Sequence, residues 1–326
     1  MALATPTKAA PPAVPPQADL PQKARRPRGG GVRQRNVPYL FILPAAVLFT
    51  AFFLIPIGYA IYLSFLGSKV TGGGGYGTKQ EVFVGLENYL GVFADPELLA
   101  GLGRLLQYGV ITIPITLGGA LLFALLMDAP RARFVGATRT AIFIPYAVPG
   151  IIASIMWGFL YLPSTSPLNY ILKFFGLDPI NLLSSSWVIP ALANISVWGG
   201  LGFNMIILYT ALRSLPQEVY DAARIDGCSE WQLALKIKIP LIAPSLVLTS
   251  LFSLIGTLQV YSEPTTLRPL TSAITSTFFP LMKVYRDAFT NDQPYPAAAM
   301  AVVITIGTLV VSMILLRAVQ GKANGD

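Results

Sequence analysis

Residues 216–244 read PQEVYDAARIDGCSEWQLALKIKIPLIAP, a charged island in an otherwise apolar part of the chain. The uncharged run 179–212 precedes it, and the uncharged run 239–262 begins inside its last turn. The island carries four acids, Glu218, Asp221, Asp226 and Glu230, and four bases, Arg224, Lys236, Lys238 and, at its edge, Arg213. Two membrane spans joined by a structured, charge-balanced loop present that loop to whatever lies outside the bilayer.

Outward from the island, the composition is that of a polytopic membrane protein. Of 326 residues, 54% are hydrophobic and 12% charged, against about 25% charged in soluble domains. A bilayer core needs about 20 apolar residues per helix. Six uncharged runs reach that length, at 39–66, 105–127, 140–172, 179–212, 239–262 and 293–316. The expected fold class is therefore all-α, with six transmembrane helices over 38–318. The third and fourth runs exceed one span and must include residues outside the membrane. A shorter run, 269–282, is too short to cross and is expected to be re-entrant or periplasmic.

Charge sets the orientation. Lys23, Arg25, Arg26, Arg28, Arg33 and Arg35 stand just before the first span, and basic segments stay in the cytoplasm. With the N-terminus inside, cytoplasmic segments hold 16 of the 23 Lys and Arg residues. Both termini and the island are then cytoplasmic. Residues 1–37, rich in Pro, Ala and bases, read as a disordered basic tail, and 319–326 as a short cytoplasmic tail. The 28-residue run that follows the basic tail is too long for a signal peptide. Gly72–Gly75 mark a flexible turn in the first external segment, and Leu98–Arg104 start the second helix. The basic clustering serves topology, so no nucleic-acid partner is expected.

Within the island the capping signals predict two helices. The first is expected over 215–226, capped by Ser214 with Gln217, with Pro216 in its first turn. Val219, Ala222 and Ala223 would share a face, and Gly227 would stop the helix. Ser229 and Gln232 repeat the capping-box pattern for the second helix, whose Trp231 and Leu235 would pack at the membrane surface. Physics leaves two readings open here, an amphipathic interfacial loop and a docking surface. In the third span Pro145 and Pro149 predict a kink, serving either packing or a pathway.

The chain has one cysteine, Cys228, and no histidine. An internal disulfide framework and His-based catalysis or metal ligation are excluded, and no acidic pair lies within a span. An intramembrane enzyme is disfavoured on those grounds. A secondary transporter is disfavoured because ion coupling uses buried ionisable groups, which the spans almost lack.

The island resembles the EAA loop of bacterial ABC importer permeases. Asp221-Ala222-Ala223 is followed by Gly227 and later by Ile237-Lys238-Ile239-Pro240. The longer stretch Pro216–Gly227 resembles the carbohydrate-uptake branch. So do Ser64-Phe65, Gly85-Leu86-Glu87-Asn88-Tyr89, Pro145, Trp157, Trp198-Gly199 and Tyr295-Pro296-Ala297-Ala298-Ala299, which extend the likeness over roughly 38–318. Three positions depart from the pattern: Asp221 replaces the usual Glu, Cys228 a common Ala, and Arg104 a frequent Asn.

The resemblance implies a type I ABC importer permease fold in a bacterial plasma membrane. It implies a second, different permease subunit, a pair of ATPase subunits and an extracytoplasmic binding protein or lipoprotein that delivers a sugar. ATP and magnesium would be bound by the ATPase, and no cofactor by this chain. Residues 213–240 become a coupling loop, with Glu218, Asp221, Ala222, Ala223, Asp226 and Gly227 as its contact residues. Candidates for the solute path are polar or aromatic residues at membrane depth: Asn194, Trp198, Asn204, Tyr209, Ser250, Ser253, Gln259 and Tyr261. Each of these could instead serve helix–helix hydrogen bonding. The alternative solutes are glycerol phosphate or a polyol; a path lined by bases would favour the former.

Overall fold

The computed structural model describes residues 37–71 and 78–323. The basic N-terminal tail up to residue 36, the Gly72–Gly75 turn and the last three residues lie outside the described residues. The chain divides into two units, one up to Phe53 and one from Leu54 onward.

The described part of the first unit is helical, with α1 (Val37–Phe49) followed by a wide turn from Thr50. The second unit opens with α2 (Ile55–Ser64), whose end turns into a hairpin of β1 (Leu66–Thr71) and β2 (Thr78–Phe83). The strands pair antiparallel, Leu66 opposite Phe83 and Thr71 opposite Thr78. This hairpin is an addition to the expected all-helical chain. Short α3 (Glu87–Ala94) follows it, and then the long α4 (Pro96–Asp128). Asp95 caps α4, accepting from the amides of Glu97 at 2.8 Å and Leu98 at 3.1 Å, which satisfies two of the orphan donors of the first turn.

Then come α5 (Val135–Phe143), α6 (Gly150–Tyr161), α7 (Pro167–Phe174) and α8 (Val188–Arg213). The island supplies α9 (Gln217–Ile225), α10 (Glu230–Leu233) and α11 (Ile239–Leu241), with a wide π turn over Ala234–Lys238. The chain ends through α12 (Ala243–Leu258), α13 (Ser262–Leu267), α14 (Pro280–Tyr285) and α15 (Pro294–Ala323). The last helix thus runs on past 318, into the segment expected as a tail.

Among the described residues, five helices are long and apolar enough to cross a membrane: Tyr39–Ser64, Pro96–Asp128, Val188–Arg213, Ala243–Leu270 and Pro294–Arg317. The sixth expected span is a bent pair, Val135–Ala147 and Gly150–Tyr161, with 96° between its halves. The bend falls at the two prolines the sequence marked. Pro149 is held at ψ 136, the extended value that precedes a new helix, and its missing N–H cannot continue the old one. The run 269–282 is only partly at the surface: Leu270, Ser272 and Thr275 are exposed, while Ile274, Phe278 and Phe279 are buried in the main apolar cluster.

The central packing is α4 against α8, with α12 against both. Small residues allow this approach: Ala120 and Ala124 of α4 are fully buried beside Met205 and Leu208 of α8. Helix association in lipid depends on such close packing rather than on hydrophobic drive. Gly202 shows the tightest case, since a Cβ there would stand 2.2 Å from the Ile142 carbonyl oxygen. Arg104 ties α4 to the 269–282 run, donating to Phe278 O at 2.7 Å and Thr277 O at 3.1 Å. Buried Lys283 of α14 meets Asp95, Glu97 and Asp287 at 2.9–3.0 Å.

Candidate functional site

Helices α4, α6, α8 and α12 enclose a half-open cavity of about 550 Å³. Tyr108, Thr112 and Thr116 line it from α4, Ser196, Phe203 and Asn204 from α8, and Phe252, Ser253 and Thr257 from α12. Glycines 199, 200 and 256 widen it by withholding side chains. Tyr146, in the turn before the bend, stacks on Phe203 with centroids 4.8 Å apart.

Apart from Glu263, the polar side chains are neutral: hydroxyls and one amide, Asn204. Asn204 donates to Gly200 O at 2.9 Å, while its Oδ1 lies 3.5 Å from the Ser253 hydroxyl. Tyr108 donates to Ser196 Oγ. Among the described residues the buried Thr116 hydroxyl has no partner, a state native interiors seldom tolerate. Glu263, at the start of α13, is the one ionisable acid in the lining, and no Lys or Arg joins it.

Of the solute-path candidates, Asn204 and Ser253 line the cavity. The others lie outside its lining. Asn194 donates to the Tyr161 hydroxyl at 2.8 Å. Trp198 packs edge-on against Trp157, 5.9 Å between centroids. Tyr209 joins the cluster around Met205 and Leu208. Tyr261 packs on Tyr285, Ser250 bonds back to Leu246 O, and Gln259 is exposed outside the lining. The sequence reading missed the α4 face of Tyr108, Thr112 and Thr116. Their spacing of four residues was the available signal, in a span otherwise read as plain apolar helix.

The island folds as helix, glycine turn, helix. Gly227 has φ +79, the left-handed conformation that glycine adopts freely. Its amide bonds Arg224 O and the Cys228 amide bonds Ala223 O, each at 3.0 Å. That pair of bonds is a Schellman cap. The second capping box is complete: Gln232 N–H donates to Ser229 Oγ at 3.3 Å, and Ser229 N–H to Gln232 Oε1 at 2.9 Å. The first expected cap is corrected. Ser214 ends α8 instead, its hydroxyl donating back to Ala211 O at 2.7 Å. Extended Pro216 at ψ 137 precedes α9, with no side-chain cap.

The expected Val219–Ala222–Ala223 face is also corrected. Tyr220 and Ala223 point inward, with Val219 half-buried beside them, against Leu233. Ala222 faces out with Glu218, Asp221, Asp226 and Gly227. Ile225 is 86% exposed and Trp231 70%, so the loop's outer face offers two large apolar side chains among its acids. Trp231 and Leu235, the residues expected at the membrane surface, are both exposed, and Ile225 was not anticipated. Asp221 pairs with Arg224 at 3.5 Å, and Arg224 with Glu230 at 3.3 Å. Such exposed pairs order side chains more than they stabilise the fold.

Several spans, a broken helix and an internal cavity of hydroxyls, amides and aromatic rings, with a two-helix loop projecting beside them, define a transport subunit of a membrane. The chain belongs to the family described as the binding-protein-dependent transport system inner membrane component, whose model matches residues 120–324. It is 30% identical over 294 residues to the probable ABC transporter permease protein YurN of Bacillus subtilis (strain 168), covering 87% of this chain and 96% of that one. It is 29% identical over 296 residues to the sn-glycerol-3-phosphate transport system permease protein UgpA of Escherichia coli O6:K15:H31, covering 89% and 96%. The fold matches a chain of a bacterial ABC transporter involved in the import of the acidic polysaccharide alginate. That match has a TM-score of 0.75 at 20% identity and covers 88% of this chain and 96% of that chain. The protein is thus a multi-pass inner-membrane permease of binding-protein-dependent import.

Proposed function

We propose that this chain is the membrane-spanning subunit of an ATP-driven importer of a neutral sugar or oligosaccharide, forming half of its translocation path. The cavity lining carries this reading: hydroxyls, an amide and aromatic rings, with no Lys or Arg and one carboxylate. Hydroxyl-rich solutes suit such a lining, whose neutral polar groups and ring faces offer hydrogen bonds and stacking surfaces. An anion entering it would meet Glu263 and no compensating base, and an unpaired charge at membrane depth is costly. The likeness to a glycerol-3-phosphate permease favours a phosphorylated solute, and the same lining opposes it.

The solute path would run past Asn204, Ser253, Thr116 and Tyr146. A different permease subunit would complete it, and a binding protein would deliver solute from outside. Both termini and the coupling loop would face the cytoplasm. There Glu218, Asp221, Ala222, Asp226 and Gly227, with Ile225, would meet an ATPase subunit that binds and hydrolyses ATP with magnesium. Ala223 would act from within by seating α9 on Leu233.

Purification of the complex from native membranes tests the reading. An ATPase, a second permease and a binding protein should accompany the chain, with a neutral carbohydrate as the retained solute. Recovery of a phosphorylated or uronic solute would overturn the neutral assignment. Ion-driven uptake by the chain without an ATPase would overturn the importer reading itself.

A further inference from the structure

The coupling loop meets α4 through an unusual buried node. Asp128 is the last residue of α4, its side chain 3% exposed, and its Oδ2 accepts from Lys238 Nζ at 2.7 Å, that side chain being 4% exposed. Lys238 ends the π turn by which the loop returns to the membrane helices. Its ammonium also stands 4.8 Å from the centroid of the Tyr220 ring, within cation–π range. Tyr220, on the inner face of α9, has its hydroxyl 3.0 Å from Leu212 O and 3.4 Å from Asp128 Oδ2. One proton serves one acceptor at a time, and the shorter contact ends on α8. Arg213 completes the set from the rim, 3.9 Å from Asp128 Oδ1 and 63% exposed.

Burial and the neighbouring Asp128 carboxylate push the Tyr220 hydroxyl up to about 12. It therefore stays a neutral donor under ordinary conditions. The loop's apolar cluster is its own: Tyr220, Ala223 and Leu233 pack with Leu215, Val219, Cys228 and Ile237. Leu215 also reaches the cluster around Met205 and Leu208. Among the described residues, every side-chain hydrogen bond or ion pair from the loop to α4 ends on Asp128. From Asp128 the same unbroken helix runs back to Thr116, Thr112 and Tyr108 in the cavity wall.

We propose that Asp128 is a positioning residue that pins the returning end of the coupling loop to the cavity-lining helix, so that displacement of the loop moves the cavity wall through α4. This rests on the reading of the loop as the ATPase contact. An ion pair with both partners buried resists partial separation, because a lone charge there is strongly disfavoured. It therefore transmits displacement as a rigid joint, while the exposed Asp221–Arg224–Glu230 pairs can slip. Interfaces built this way move between discrete arrangements, and a transmission claim needs a residue whose removal breaks coupling without breaking either end.

The test uses the complete permease–ATPase complex in lipid nanodiscs, with Cys228→Ser and a reporter cysteine, Ser253→Cys, in the cavity. The rate of reporter labelling by a polar maleimide is compared with and without ATP and vanadate. The native node should show at least a tenfold nucleotide-dependent change in rate. Asp128→Asn should retain the ATPase at native stoichiometry while that change falls to less than twofold. The exchange Asp128→Lys with Lys238→Asp should restore at least half of it, which a merely structural role would not do. If Asp128→Asn fails to assemble, Tyr220→Phe keeps the ion pair and is expected to retain the full change; loss of the change there would overturn Asp128 as the joint. An assembled Asp128→Asn complex with a native nucleotide response would also overturn it. A native complex with no ATPase bound would instead overturn the functional reading on which it stands.

Discussion

Gly227 offers a direct perturbation of the loop, because within this chain its requirement is conformational. Its φ is +79, and a Cβ there would meet nothing within 4 Å. A side chain would therefore cost only backbone energy, about 1–2 kcal/mol for an L-residue held left-handed. That lowers the ratio of capped to opened turn by roughly 5–30-fold. Asn visits this conformation more easily than Ala or Val, so damage should rise from Gly to Asn to Ala to Val. The assay is amide exchange at Cys228, whose N–H bonds Ala223 O at 3.0 Å. Exchange there should quicken by roughly 5–30-fold in Gly227→Ala, and solute-stimulated ATP hydrolysis by the assembled importer should fall in step. Gly227→Asp keeps Asn-like backbone tolerance but adds charge on the contact face, and is expected to abolish transport without altering the binding protein's own affinity. Native exchange in Gly227→Ala, or an Asn variant as damaged as Val, would refute the conformational reasoning.

Three further outcomes follow from the packing. Gly202→Ala drives a Cβ to 2.2 Å from the Ile142 carbonyl oxygen; backbone overlap of that kind should cost about 3 kcal/mol, read as a lowered thermal midpoint in nanodiscs. Thr116→Val replaces a buried, unpaired hydroxyl with a methyl group, so the midpoint should hold or rise while the retained solute binds more weakly. For the Lys283 node, burial pushes the Asp95 carboxyl up, but the Lys283 hydrogen bond and the α4 amides outweigh it and hold it below its ordinary value. Burial likewise pulls Lys283 down, and the hydrogen bonds its ammonium donates to Asp95, Asp287 and Glu97 raise it overall. A lowered acid gives stability that is present above its unfolded value, about 3.9, and lost as pH falls through the folded one. A raised base gives stability that is full below its unfolded value, about 10.4, and lost as pH rises through the folded one. The thermal midpoint should therefore be flat between about pH 5 and 9, and Lys283→Met should shift it down across that window.

Much of the architecture was legible because the bilayer imposes simple lengths. Uncharged runs marked the spans, and Pro145 and Pro149 marked the break that the structure bends by 96°. The matched residues of the first external segment prove to be one contact set: Asn88 donates to Ser64 O at 2.8 Å and Leu66 O at 2.7 Å, and Tyr89 meets the Ser64 hydroxyl. Gly227 and the Ser229–Gln232 box were readable because caps are local. What stayed hidden depends on helix rotation. An apolar span has a weak polar face, so nothing local told which of Asn194, Asn204 or Gln259 points inward. Ala222 and Ala223 are adjacent, yet one is exposed and the other buried, because Tyr220 sets the inward face of α9. The Asp128–Lys238 pair is separated by 110 residues, beyond any pattern in the sequence.

The central claim is that the island's outer face meets an ATPase, and one crosslinking measurement tests it most directly. In a Cys228→Ser background, Ala222→Cys and, separately, Ile225→Cys are treated with a short bifunctional thiol reagent in native membranes, with buried Ala223→Cys as control. The expected result is one dominant product from each exposed position, containing the ATPase subunit, with crosslinking altered by ATP and vanadate. Crosslinking of both positions to lipid-facing or unrelated proteins only, unchanged by nucleotide, would contradict the coupling role of the loop.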